Sequence, residues 1–339
     1  MARKFSLWCT GVAGLLLLLE LVFRVLPVSS STETGYYTDP RILTCPPHHT
    51  WTVSTGWDLR NSQRLQANQQ GYVADRDFTP NDQAVALIGD SFVEASMLPA
   101  PERPGAQLER ALGVRPVFSM GIPGTALLDY AERIRFAHEN YGVRDFVVLM
   151  ERGDVRQSLC GSGNINGPCL DAQTLAPRVE PLPPPGFAKR VFRHSAFAQY
   201  LFGQLKFSPQ KLLEQAFPAA KRAAPPATIE PAEFTPFVNV VTNAFFERIR
   251  PHVAGKLVIV VDSDRRALAA DKLKPDPARA KFIGLARAAG AIVVDTEHLF
   301  KAHFAQSALS LDVGPYDGHL NALGANLITQ AAAKALQQP

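Results

Sequence analysis

This sequence has little that favours a nucleic acid, a metal or a disordered state. Beyond the first few residues no Lys/Arg run is dense enough to form a basic stripe, and the formal net charge of the 339-residue chain is only +4. That argues against a nucleic-acid partner. Cysteines number four, with no CxxC pair and no Cys/His cluster, so no zinc site is expected. Neither an internal repeat nor a long low-complexity tract is present, although 27 prolines and 23 glycines make the chain rich in turns. No metal or organic cofactor is implied. What is present is apolar material: 46% hydrophobic against 19% charged residues, enough for a core.

The longest apolar run lies at the N-terminus. Arg3 and Lys4 precede a stretch from Phe5 to about Leu26, long enough for one bilayer crossing. The positive-inside rule leaves the N-terminus in the cytoplasm and puts the chain beyond Pro27 outside. Residues 1–27 therefore read as a single-pass anchor in the cytoplasmic (inner) membrane, with a periplasmic or extracytoplasmic domain. Glu20 and Arg24 share one face of this helix and can pair or snorkel to the outer interface. A cleaved signal peptide is the competing reading. The length of the run and the lack of a small-x-small site after Leu26 favour an uncleaved anchor. Export also permits a Cys160–Cys169 disulfide across the Gly/Asn-rich loop between them.

Residues 28–80 read as an irregular juxtamembrane region with Pro, Ser and Thr clusters, whose Tyr36, Tyr37, Trp51 and Trp57 suit packing near a membrane. From residue 81 the texture changes. Short apolar runs at Ala84–Ile88, Pro116–Met120, Asp145–Met150, Lys256–Val261 and Ala291–Asp295 read as buried strands. Helical spacing falls between them, at Gly105–Leu112, Ala126–Asn140, Phe237–Arg250 and Pro277–Ala289, and again at Leu323–Leu336. Alternation of this kind predicts an α/β fold with a doubly wound, mostly parallel sheet flanked by helices. It is broken at about residues 158–235 by proline clusters and a basic helical segment near Lys189–Leu205, read as a large insertion.

Gly89-Asp90-Ser91-Phe92 follows the first of these strands, where an open α/β sheet carries its chemistry. A serine there exposes its hydroxyl, and backbone N–H groups beyond it can face a developing oxyanion. Serine is a weak nucleophile unless a base takes its proton. Of the eight histidines, His319 stands two residues after Asp317, just before the closing helix, so one short loop can supply base and orienting carboxylate. The other histidines have no suitably placed acid.

These blocks, in this order, resemble the SGNH (GDSL-like) hydrolase superfamily. Gly89-Asp90-Ser91-Phe92 is similar to its nucleophile block. Gly121 is similar to the glycine that gives a backbone oxyanion donor, and Asp317-Gly318-His319 to its closing block. The short Asp-x-His spacing is similar to membrane-associated members linked to polysaccharide O-acetylation. The resemblance covers roughly residues 65–155 and 240–337. It implies a flavodoxin-like three-layer fold, catalytic Ser91, Asp317 and His319, and oxyanion donors at Ser91, Gly121 and Gly153. One departure is plain. The third block of the family carries an asparagine, and Glu151-Arg152-Gly153-Asp154 has glycine in its place. The Gly153 N–H, Arg152, Arg156, or Asn164 and Asn166 from the insertion can substitute, or the site is weakened.

The expected function is a membrane-anchored serine esterase or O-acyltransferase. Its substrate would be acyl, above all acetyl, esters of cell-envelope carbohydrate, with a membrane acyltransferase as a possible partner. A catalytically weak glycan-binding or scaffold protein of a polysaccharide acetylation system is the alternative, and a lipid-active esterase a third reading.

Overall fold

The computed structural model describes residues 2–30, 32–162, 167–205, 207, 236–314 and 317–338. Two compact units emerge. One comprises Met1–Glu33, Thr50–Leu65 and Pro183–Ala227; the other comprises Thr34–His49, Gln66–Leu182 and Thr228–Pro339.

Helix α1 (Ala2–Val25) opens the first unit. An 18-residue window within Arg3–Val25 has a mean hydropathy of 2.0, so the helix is long and apolar enough to cross a membrane, a criterion that a signal sequence also meets. The stretch 28–80, expected to be irregular, instead carries two antiparallel pairs. Strands β1 (Gly35–Asp39) and β2 (Ile42–Thr44) belong to the second unit, and β3 (Thr50–Thr55) and β4 (Arg60–Gln66) fall almost wholly in the first. Leu65 is the single apolar residue of β4, which hid its strand character.

The sheet of the second unit begins with β5 (Val85–Gly89), followed by the one-turn helix α2 (Ser91–Glu94) and by α3 (Pro104–Leu112). Next come β6 (Val117–Gly121), α4 (Leu127–Tyr141), β7 (Asp145–Met150) and the short α5 (Asp154–Gln157). A hairpin of β8 (Gly167–Leu170) and β9 (Pro177–Glu180) follows. Helices α6 (Phe187–Phe192) and α7 (Ala196–Ala198) lie in the first unit. The chain returns to the sheet unit with α8 (Phe237–Ile249), β10 (Leu257–Val261), α9 (Arg265–Ala269) and α10 (Pro277–Ala288). It closes with β11 (Ile292–Asp295), α11 (Thr296–Phe304), the pair β12 (Asp312–Gly314) and β13 (Asp317–Leu320), and α12 (Ala322–Gln337).

Five strands form one parallel sheet in the order β11-β10-β7-β5-β6. Residues of β5, β7 and β10 are buried on both faces, apart from half-buried Asp145 at the start of β7, which is why these strands read as continuous apolar runs. Val85, Leu87, Val147, Leu149, Val258 and Val260 pack with Leu108 and Leu112 of α3 and Ile328 and Leu336 of α12. The pleat turns Ala86, Ile88, Phe146, Val148 and Ile259 to the opposite face, where α4, α8 and α10 pack against one another. The expected α/β three-layer architecture is present. Its five strands, taken in chain order, stand 2-1-3-4-5, the flavodoxin-like order. That places a topological switch point beyond the C-terminal end of β5, flanked by β6 and β7.

Arg133 of α4 is fully buried beneath that end. Its Nη1 donates to the carbonyls of Gly89 (2.6 Å) and Met120 (3.0 Å), binding the last residues of β5 and β6 to one guanidinium. A hydrogen bond that involves a charged group typically contributes about 1.5–3 kcal/mol.

The region read as one insertion divides. Residues up to Leu182 remain in the sheet unit, where Cys160 and Cys169 are joined in a disulfide. From Pro183 the chain joins the unit that contains α1, and the expected basic helical segment is broken into α6, α7 and a π-helical turn at Gln199–Gln204. Extended backbone at Ser195 makes the break, and its hydroxyl caps α7 through Ala198 N–H (3.1 Å). The disulfide closes a short loop, so chain-entropy arguments put its contribution at about 2–3 kcal/mol. The double variant Cys160→Ser/Cys169→Ser should lose that much in urea denaturation. An unchanged midpoint would show that the loop is held by other contacts.

Candidate active site

The site grows from the end of β5. Gly89 pairs with Gly121 across the β5–β6 register. Both positions need a missing side chain: a Cβ on Gly89 would come within 2.9 Å of the Leu149 carbonyl oxygen, and one on Gly121 within 2.9 Å of the Asp90 carbonyl oxygen. Gly121 therefore lies directly beneath the backbone of α2. Asp90 starts that helix as its N-cap, its carboxylate accepting from the Phe92 N–H at 2.8 Å. Ala95 ends it after one turn in the left-handed region (φ 44°, ψ 48°), at a cost of roughly 1–2 kcal/mol for a residue with a Cβ. Ser91 is thereby held at the first position of a helix, on a turn too tight to let it sink into the core.

The base arrives from the other end of the chain. His319 Nε2 lies 2.8 Å from Ser91 Oγ, and His319 Nδ1 lies 2.6 Å from Asp317 Oδ1. The same Asp317 oxygen accepts the backbone N–H of His319 at 3.0 Å. Asp317 and His319 sit on β13, paired antiparallel with β12. Asn321 secures the hairpin: its amide donates to the carbonyls of Ser310 (2.7 Å) and Asp312 (3.1 Å) while its oxygen caps α12.

Arg265 is the residue that sequence reasoning missed. It is buried, donates to Asp262 and Asp312, and grips the Gly318 carbonyl between Asp317 and His319. Its guanidinium also stands 5.4 Å from the ring centroid of Phe92, the residue after Ser91. The Phe92 ring lies 5.0 Å from that of His319. One cation thus braces both the loop that carries the base and the turn that carries the nucleophile. The only signal for it was an Asp262-Ser263-Asp264-Arg265 cluster after a strand.

Electrostatics favour a proton-accepting His319 with a raised affinity for the proton. Burial alone lowers its pKa. The hydrogen bond to Asp317 and the negative charges of Asp317, Asp90 and Glu94 outweigh that, and the net shift is upward from the ordinary 6.5. For Asp317 burial pushes the carboxyl up, but its bonds from the His319 ring and backbone leave it below the usual carboxylate range. Burial carries Asp90 to about 6 and Glu94 to about 7.

The oxyanion side differs from expectation at Gly153. Its N–H donates to the Glu151 carboxylate, so it does not point to the nucleophile as a free donor. Glu151 is itself anchored, its own N–H given to Asp154 Oδ2 at 2.8 Å, and burial raises its pKa. Arg152 is paired with Asp264 at 2.8 Å. Asn164 and Asn166 lie outside the described residues. Ser91, His319 and Asp317 are brought together; Gly121 is set against the nucleophile turn; Gly153 is committed elsewhere.

A cavity of about 460 Å³ opens beside His319, lined by Phe92, Glu151, Arg152, Asp264 and Arg266 among others. Most of its lining residues are charged, and the rings of Phe92 and His319 stand among them. Among the described residues the only set with metal-ligand spacing is Cys160, Cys169 and Glu180, and its two sulfurs form the disulfide.

Among solved structures the chain is similar to a member of the lipolytic protein G-D-S-L family from Veillonella parvula, at 10% identity over 76% of this chain and 99% of that one (TM-score 0.40). It is also similar to an acetylxylan esterase from Geobacillus stearothermophilus, at 13% identity over 78% and 98% (TM-score 0.41). No family model and no curated protein matches the chain. Likenesses this distant leave the chemistry to rest on the site's own geometry.

If His319 must be neutral to accept a proton, activity is lost as pH falls through its raised pKa. Asp317→Asn removes the charge that raises it. The variant's acidic limb should move to lower pH, with kcat reduced on the order of 10⁴-fold, as read from a pH–rate profile. A limb that stays in place would separate Asp317 from the function of His319.

Proposed function

We propose that this chain is a membrane-anchored serine esterase or O-acyltransferase acting on acyl esters of cell-envelope carbohydrate. The observation that carries the proposal is the continuous relay of Ser91, His319 and Asp317 at 2.8 and 2.6 Å. His319 Nε2 takes the Ser91 proton as Oγ bonds to the ester carbonyl carbon. The carbonyl electrons move to oxygen, and N–H groups at Ser91 and Gly121 receive that charge. As the tetrahedral centre collapses, the carbon–alkoxide bond breaks and His319 gives its proton to the leaving alcohol. Water, or a sugar hydroxyl, then loses a proton to His319 while attacking the acyl-serine. Ser91 is regenerated with release of the acid or of a new ester.

The charged side chains beside His319 support a polar, hydroxyl-rich substrate. The anchor reading is supported by the length and hydropathy of α1. A membrane acyltransferase that delivers acyl groups across the bilayer is the partner consistent with that location.

One observation favours a second reading. The Gly153 N–H is occupied by Glu151, and the asparagine expected there is absent. Loss of one oxyanion donor costs on the order of 10²–10³ in rate, which would suit a glycan-binding or scaffold protein with little turnover. Hydrolysis of a short-chain acetyl ester by the full chain in detergent, beside Ser91→Ala, separates the two. The esterase reading predicts turnover in the natural sequence and background in Ser91→Ala. Equal, background-level rates, with no labelling of Ser91 by a fluorophosphonate, would leave the scaffold reading.

A further inference from the structure

Glu20 is a carboxylate near the C-terminal end of the apolar helix α1, and its side chain is bound by groups of the chain itself. Its oxygens accept from Arg24 Nε (2.7 Å), Ser195 Oγ (2.7 Å), and the backbone N–H groups of Ala196 (3.1 Å) and Phe197 (3.2 Å). A carboxylate at that place caps the helical run that begins at Ala196 and complements its positive end. Arg24 completes the clamp by donating to the His194 carbonyl at 3.2 Å. Phe23 of α1 stacks on Tyr200 with centroids 4.4 Å apart.

The segment so held exposes apolar side chains. Phe187, Val191, Phe192, Phe202 and Phe207 are between 40% and 75% exposed, and the rings of Phe192 and Phe202 stack at 5.3 Å. Arg190, also exposed, adds positive charge beside them. Aromatic and aliphatic residues with adjacent basic residues are the make-up of an interfacial helix.

We infer that residues 187–205, with Phe207, lie in the outer leaflet of the bilayer, packed alongside α1, with phospholipid as the partner of their exposed apolar face. The inference rests on reading α1 as a membrane-spanning anchor. Depth supports it. Glu20 stands five residues before Val25, the last residue of α1, which at 1.5 Å per residue is roughly 7–8 Å below the helix end. Interfacial helices sink about 5–10 Å, so the clamp at Glu20 holds the segment at the level where headgroups meet acyl chains. The exposed apolar surface of α1 continues into that of the segment. A cleft of about 530 Å³ between them is lined by Leu16, Leu17 and Val191 at one side and Glu20, Arg24 and His194 at the other, an apolar-to-polar gradient that matches a lipid. The same contacts satisfy a charge at that depth, through Arg24, Ser195 and the N–H groups of Ala196 and Phe197.

Nitroxide labels on the full chain in phosphatidylethanolamine/phosphatidylglycerol vesicles test this. In a Cys9→Ser background, Cys45 is buried and the other two cysteines are in the disulfide. Labels at Leu15→Cys, Phe202→Cys and Val114→Cys would then report on α1, on the segment and on an exposed site of the sheet unit. The expected result is that the labels at 15 and 202 collide several-fold more with oxygen than with an aqueous nickel chelate, and that 114 does the reverse. If 15 is lipid-facing while 202 behaves like 114, the inference fails and the anchor stands. If both behave like 114, anchor and inference fail together. A label at 202 shielded from both reagents would mean protein, not lipid, covers the face, and would also overturn it.

Discussion

The hydrogen bond between Ser91 and His319 joins residues 228 apart in the chain, and the sheet unit is organised so that it can form. Serine reactivity depends on a base within hydrogen-bond reach, and no local stretch of this sequence supplies one. The parallel sheet provides the frame. Its 2-1-3-4-5 order leaves a crevice beyond β5, and the last hairpin before α12 enters that crevice from the far end of the chain. Two buried arginines hold the halves in place. Arg133 ties the ends of β5 and β6 from below, and Arg265 ties the Asp317–His319 loop to Phe92 from the side.

Burial of charge is the recurring means. Arg133, Arg265, Asp90, Glu94 and Asp154 are all buried, a costly composition for a purely structural core. Clusters of carboxylates pushed upward by burial around a histidine are the pattern found where protonation states are being set. Here Asp90, Glu94 and Asp317 act together on His319, so its proton affinity belongs to the whole turn as well as to its immediate partner. The Glu151–Gly153 contact belongs to the same environment: a carboxylate takes the Gly153 N–H, so the proposed acyl chemistry leans on Ser91 and Gly121.

Much of the fold was legible because it is periodic. Buried parallel strands such as β7 and β10 are unbroken apolar runs, and α4, α8, α10 and α12 carry helical spacing, so their limits were read to within a residue or two. The site was legible in part for a related reason: Gly89-Asp90-Ser91 follows a buried strand, and Asp317 and His319 are close in sequence. What was not legible depends on residues distant in the chain. Arg265 draws its meaning from Asp312 and Gly318, about fifty positions on. The fate of the Gly153 N–H depends on the rotamer of a neighbouring glutamate. The pairing of Glu20 and Arg24 was foreseen, but the clamp on Ser195, 175 residues away, was not. β4 escaped because its residues are mainly polar and exposed.

Acylation of Ser91 is the step on which the proposed chemistry depends. Incubation of the natural sequence and of His319→Ala with an activated acetyl ester, followed by acid quench and mass spectrometry of proteolytic fragments, measures this directly. The account predicts an acetyl group on the fragment containing Ser91 in the natural sequence, and little or none in His319→Ala, where no base takes the serine proton. Ester turnover with Ser91 unmodified at every time point, or acetylation of Ser91 undiminished by loss of His319, would contradict it.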